Sequence, residues 1–103
     1  MAALARLKRA VIRAIDMNGG IDGAAATAER KRSVAGDWHN RNHAALPPLD
    51  CVFALDEVAV IEGQHPPILT ALAAALGHVV VRLPHGGQAD DALTHALIEA
   101  SAE

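Results

Sequence analysis

Arg30, Lys31, Arg32, Ser33, Asp37, Asn40 and Arg41 fall within twelve consecutive positions. Together they bring guanidinium, ammonium, hydroxyl, amide and carboxylate groups, a set that binds anionic oxygens and makes paired hydrogen bonds. The cluster is part of a wider segregation. Residues 1–43 carry eight Lys and Arg against four Asp and Glu, a balance of +4, whereas residues 44–103 carry only Arg82 against eight acids, a balance of −7. Such a split fits a chain with one surface for a polyanion and another for solvent or a partner. A merely solvated helix face would show the same charges.

Other chemistries find less in this chain. His39 and His43 stand four apart, as two metal ligands on a helix would, but no third ligand is suitably placed. Gly19-Gly20-Ile21-Asp22-Gly23 follows a helical pattern rather than a strand, so a dinucleotide fingerprint fails on context. No phosphate-binding loop or nucleophile motif occurs, and a lone Cys51 excludes an intrachain disulfide and reads as a small core residue. The expectation is a protein that is not an enzyme and holds no cofactor or metal. With one Phe, one Trp and no Tyr, the chain also lacks the aromatic platforms on which single-stranded nucleic acids stack.

The elements that must position the cluster read as helices. At 103 residues the chain suits one domain, and its 23 Ala favour helices that pack closely. Leu4, Leu7, Val11 and Ile15 form one stripe of a helix over 2–17, with Arg6, Arg9 and Arg13 on another flank. Asn18-Gly19-Gly20 ends it. A second, Ala-rich helix runs from Asp22 to Ala28, and Glu29-Arg30-Lys31-Arg32 connects it to a third that Ser33 caps and that continues to about Asn40. Ala25, Val34, Ala35 and Trp38 read as the inward core of that pair. Two helices joined by a turn of about four residues outline a helix-turn-helix.

Pro47-Pro48 marks a corner. Leu49–Ile61 reads as a fourth helix, apolar on several sides and therefore sandwiched, with Phe53 anchoring the core. A fifth starts at Pro66-Pro67 and ends at Gly77. Val79–Val81 suggests a short extended segment that lies over the helices or pairs with a second copy, and Ala89–Ala100 a last amphipathic helix. The expected fold is all-α with five or six helices. A single helix-turn-helix domain would span 1–83, with 1–43 facing the ligand, 49–77 supporting it, and 84–103 a helical tail that can join copies.

The longest nearly apolar run, Ile68–Leu76, is far short of the ~20 residues of a membrane span. The first fifteen residues are Arg-rich and acid-free but contain no Ser and run into a helix-ending glycine pair, so they read as a core helix rather than a leader. A cytoplasmic, nucleoid-associated protein is expected.

Gly19-Gly20, Ala24-Ala25, Arg32-Ser33, Asp37-Trp38, Asn40 and Asn42, followed by Pro48-Leu49-Asp50, Leu55, Ile68, Ala71-Leu72 and Gly77, resemble in order and spacing the phage CII-type regulatory proteins. The likeness covers about Leu4 to Leu83. It implies a Cro/repressor-like (lambda-repressor-like) helix-turn-helix, double-stranded DNA as the partner, transcription regulation of phage or prophage type, and a structural role for Trp38. The chain departs from that pattern at Glu29, where the turn often has Gly, at Gly36 inside the recognition helix, and at Ala35 in place of a larger apolar residue.

The resemblance further implies that the N-terminal residues of the third helix approach base edges in the major groove. Arg32 can then read guanine and Asn40 adenine, while Arg30, Lys31 and Arg41 neutralise phosphates. Asp37 would repel phosphate unless it accepts from cytosine or braces an arginine. Two copies would meet successive groove faces, joined through Val79–Val81 and the last helix. The alternative is an adaptor of helix-turn-helix descent that acts on another transcription factor or RNA polymerase without reading DNA.

Overall fold

The computed structural model describes residues 2–84, and its regular structure is entirely α-helical. α1 (Ala2–Met17), α2 (Gly20–Ala28), α3 (Arg32–His39), α4 (Leu49–Ile61) and α5 (Pro67–Ala75) follow one another in the chain. α1 is the central element, packed on all four others. Val11, Ala14 and Ile15 of α1 meet Ala24, Ala25 and Ala28 of α2, Ala35 and Trp38 of α3, Cys51 and Leu55 of α4, and Ile68 of α5 in one core. So much alanine at the contacts lets the helix axes approach closely, and Trp38 fills the remaining volume.

Three of the five helices, α2, α4 and α5, end by a shared device. The amides of Gly63 and Gln64 donate back to Val60 and Ala59 (3.0 and 2.8 Å), and those of Gly77 and His78 to Ala74 and Ala73 (3.1 and 2.7 Å). Both glycines hold positive φ, as this Schellman ending requires. α2 ends identically, with Glu29 to Ala26 and Arg30 to Ala25 (3.3 and 3.0 Å), but here Glu29 takes the left-handed conformation at φ 53°. A side chain there costs about 1–2 kcal/mol. The helix-turn-helix forms despite the missing glycine.

At the α1–α2 corner only glycine fits at position 23. A Cβ there would lie 1.8 Å from the Asn18 carbonyl oxygen. Asn18 itself ties the corner to α4, its amide donating to the carbonyls of Ala14 (2.7 Å) and Leu55 (3.1 Å).

Several expectations are corrected. Phe53 does not anchor the core: it is 68% exposed, and α4 is not sandwiched. α4 buries the i, i+4, i+8 row Cys51, Leu55 and Ala59 against α1, α2 and α5, and no described element covers its other apolar side. Leu4, placed on the inward stripe of α1, is half exposed, because it faces an open hollow lined by Asn42, Ala44 and Leu46 of the α3–α4 connection. Ser33 is not the cap of α3. The helix starts one residue earlier, Lys31 is the extended residue before it, and the Lys31 carbonyl accepts from Val34 and Ala35. Val79 and Val81 are exposed in irregular chain, so this segment does not lie buried over the helices. The expected helix Ala89–Ala100, with the tail from residue 85 onward, lies outside the described residues.

Candidate nucleic-acid interface

The turn between α2 and α3 presents its charged residues to solvent. Arg30, Lys31, Arg32 and Ser33 are all exposed around the N-terminus of α3, whose unpaired amides and dipole favour negative charge. Beneath them Ala25, Ala35 and Trp38 are buried and Val34 packs against the core, as a motif with a polar outer face and an apolar inner one requires.

Two of the arginines are already engaged. Arg32 pairs with Asp22 of α2 (Nε to Oδ1, 2.5 Å), and Arg30 with Asp50 of α4 (2.9 Å). The Arg30 hydrogen bond holds the Asp50 carboxyl below the usual aspartate range. Both pairs are exposed, where water and salt weaken ion pairs, so each arginine can exchange its carboxylate for another anion.

Asn40 and Asp37 are both exposed and held by local partners. Asn40 lies beyond the last turn of α3, in extended conformation, and its Oδ1 accepts from the Asn42 amide at 3.0 Å. To pair with adenine that amide would first leave the turn. Asp37 braces no arginine. Its carboxylate stands 3.8 Å from the His43 ring, and its backbone carbonyl accepts from the Lys8 ammonium at 2.9 Å. Lys8 also donates to the Ala45 carbonyl at 2.8 Å. It is buried, and desolvation lowers its pKa although Asp37 opposes the shift. Counted by sequence among the surface cations, Lys8 is a strut that fixes the end of α3 and the following loop to α1.

The histidines are likewise committed separately. His39 Nε2 lies 2.9 Å from Asp16 of α1, and His43 Nδ1 accepts from the Ala45 amide at 3.1 Å.

The structure adds a surface that the sequence did not point out as a site. Arg9 and Arg13 of α1 converge with Arg41 around a hollow of about 300 Å³, and on their other side line a groove of about 400 Å³ between α1 and α5 with Arg6, Gln64 and His65. Among the described residues, no carboxylate pairs with Arg6, Arg9, Arg13, Lys31 or Arg41. Arg6, Arg9 and Arg13 were visible as an i, i+3, i+7 flank. Their meeting with Arg41, some thirty residues on, depends on α1 lying against α3.

Cys51 is buried with its thiol 4.0 Å from the Ala28 carbonyl, and desolvation pushes its pKa up, which suits a packing role rather than a reactive one. Among the described residues no group of three His, Cys, Asp or Glu could hold a metal ion, and no helix is long and apolar enough to cross a membrane. The arrangement is therefore a small all-α domain with a helix-turn-helix and a cationic margin. The chain matches no protein-family model, no curated protein and no solved structure.

Proposed function

We propose that this chain is a sequence-specific, duplex-DNA-binding transcription regulator of the phage or prophage CII-type, with α3 as its recognition helix. One observation carries the reading. The N-terminal turn of α3 exposes Arg32 next to Lys31, and Arg9, Arg13 and Arg41 gather where α1 meets the C-terminal end of the same helix, with none of Lys31, Arg9, Arg13 and Arg41 paired to a described carboxylate. An α-helix fits the major groove of B-DNA, and cations beside it meet the phosphates that fix its register. Arg32 is the base-reading residue, released from Asp22 as it docks. Lys31, Arg9, Arg13 and Arg41 hold phosphates, and Arg30 joins them by leaving Asp50. Gly36 has nothing within 4 Å of the place a Cβ would occupy, so the backbone of α3 can approach the groove closely there. The reading carries with it a homodimer or higher homo-oligomer, which would present two α3 helices to groove faces about 34 Å apart.

Selection of bound duplexes from a random-sequence library tests this. One enriched motif is expected. Arg32→Ala should weaken it by about 1–3 kcal/mol and relax discrimination at one base position, whereas Lys31→Ala should weaken all sequences alike. If no motif is enriched and neither variant alters duplex retention, the reading fails. The second reading, an adaptor for another regulator or RNA polymerase, draws on the apolar face that α4 and α5 leave exposed.

A further inference from the structure

We infer that the acidic segment 85–103 of this chain docks in the arginine groove between α1 and α5, where duplex DNA must displace it. The docking stands on the groove and the sequence; only the competition with DNA rests on the proposed function. Arg6, Arg9 and Arg13 are exposed at i, i+3 and i+7 of α1 along a groove of about 400 Å³. Cations three and four residues apart on one helix repel each other. No carboxylate lines the groove, and none among the described residues pairs with these arginines. Gln64 and Thr70 add hydrogen-bonding groups, and Ala10, Ala71 and Ala74 an apolar lining. Such a groove suits carboxylates carried on a peptide with apolar side chains between them.

The chain carries such a peptide. Eight of its 12 Asp and Glu lie among the described residues, and the other four are Asp90, Asp91, Glu99 and Glu103. They stand in a segment with no Lys or Arg, and Leu93, Leu97 and Ile98 fall between them. The segment also follows directly from the wall of the groove. Asp90 comes sixteen residues after Ala74, which lines the groove on α5, so the chain between them reaches up to about 50 Å. Arg6 to Arg13 covers only about 10 Å of helix. A tethered segment meets its site at an effective concentration on the order of millimolar, so contacts too weak to hold a free peptide suffice.

Charge turns the segment away from other hollows. The apolar groove between α4 and α5 is lined by Asp56 and Glu57, and the hollow that Arg41 shares with Arg9 and Arg13 includes Asp16. Arg9 and Arg13 are also phosphate contacts of the proposed duplex complex, so segment and duplex compete for them. At salt high enough to release the segment, duplex binding counts every free cation. Below that, its salt dependence is shallower, because carboxylates leave the arginines where DNA arrives.

The test uses the full chain, first without DNA. Arg6→Lys keeps the charge and supplies an amine, which a zero-length carbodiimide joins to any carboxylate touching it. At low salt, mass spectrometry should find position 6 linked to Asp90, Asp91, Glu99 or Glu103 more often than the exposed Lys31 is. The link should vanish at about 1 M salt, where charges are screened within about 3 Å. In a mixture of isotope-labelled and unlabelled chains, both linked peptides should carry the same label. No link at position 6, equal linkage at Lys31, persistence in high salt, or links between chains overturns the inference. With DNA, Asp90→Asn, Asp91→Asn, Glu99→Gln and Glu103→Gln together should tighten duplex binding roughly threefold or more at low salt. Adding Arg6→Ala should shrink that gain, since both changes remove one contact. A gain of equal size on either background is long-range repulsion and overturns the competition. If the link forms and no duplex binds, the proposed function fails and the docking stands; if duplexes bind and no link forms, the docking alone fails.

Discussion

The helices before His43 bury most of their large apolar residues and turn charge outward, whereas the two after Pro48 leave apolar residues open, with acids on α4 and no Lys or Arg on either. Val11, Ile15, Ala35 and Trp38 are buried in the first region; Leu49, Phe53, Leu69 and Leu76 are exposed in the second. The contrast shows that the charge split along the chain is also a split between surfaces. On the proposed reading the first meets anions in a salt-sensitive way.

The first region depends on a tight corner, and breaking it should have the largest effect. Gly23→Ala forces its methyl group onto the Asn18 carbonyl, and the backbone must move. A loss of about 3 kcal/mol is expected, read as a fall in the thermal midpoint and in duplex binding together.

The joint between α4 and α5 comes next. The Asp56 carboxylate of α4 accepts from the amides of Ile68 (3.1 Å) and Leu69 (2.8 Å), capping α5 from a neighbouring helix. Asp56→Ala should cost about 2 kcal/mol, read as a lower thermal midpoint. Burial raises the Asp56 pKa, and the two amide bonds only partly offset it. The folded state therefore keeps this proton where the unfolded chain has released it. Stability linked to Asp56 falls as pH rises from the ordinary aspartate range up through the raised value. Melts at a series of pH values should show a shallower descent in Asp56→Asn.

The smallest effect runs the other way. Gly36 has open space where a Cβ would go, so Gly36→Ala should stabilise α3 by about 0.5–1 kcal/mol. If the recognition face approaches DNA as closely as proposed, the same methyl weakens duplex binding while the melt rises. A melt that rises with binding unchanged would mean that this part of α3 stays clear of the groove.

Local signals were readable in the sequence because they depend on neighbours in the chain. Glycine and proline punctuation located the five helices to within a residue or two, and apolar spacing placed Val11, Ile15 and Trp38 inside. What depends on tertiary contact was not readable. Lys8 has the side chain of a surface cation, and only the approach of the α3 end and Ala45 turns it into a buried strut. Phe53 looks like a core residue because α4 is apolar on several sides, and sequence alone does not say which side has helices to pack on. The pairing of Arg32 with Asp22 crosses the turn, and the meeting of Arg9, Arg13 and Arg41 requires α1 beside α3.

The central claim is that the cationic margin of the first region meets DNA phosphates. Duplex binding measured by fluorescence polarisation over a range of salt tests it most directly. If Lys31, Arg9, Arg13, Arg41 and Arg30 each neutralise one phosphate, the logarithm of the binding constant should fall with the logarithm of salt at a slope of about −4.5 per chain. Arg9→Ala with Arg13→Ala should reduce that slope by about 1.8 while the thermal melt stays in place. A slope near zero, or one that the double substitution leaves unchanged, would contradict the account.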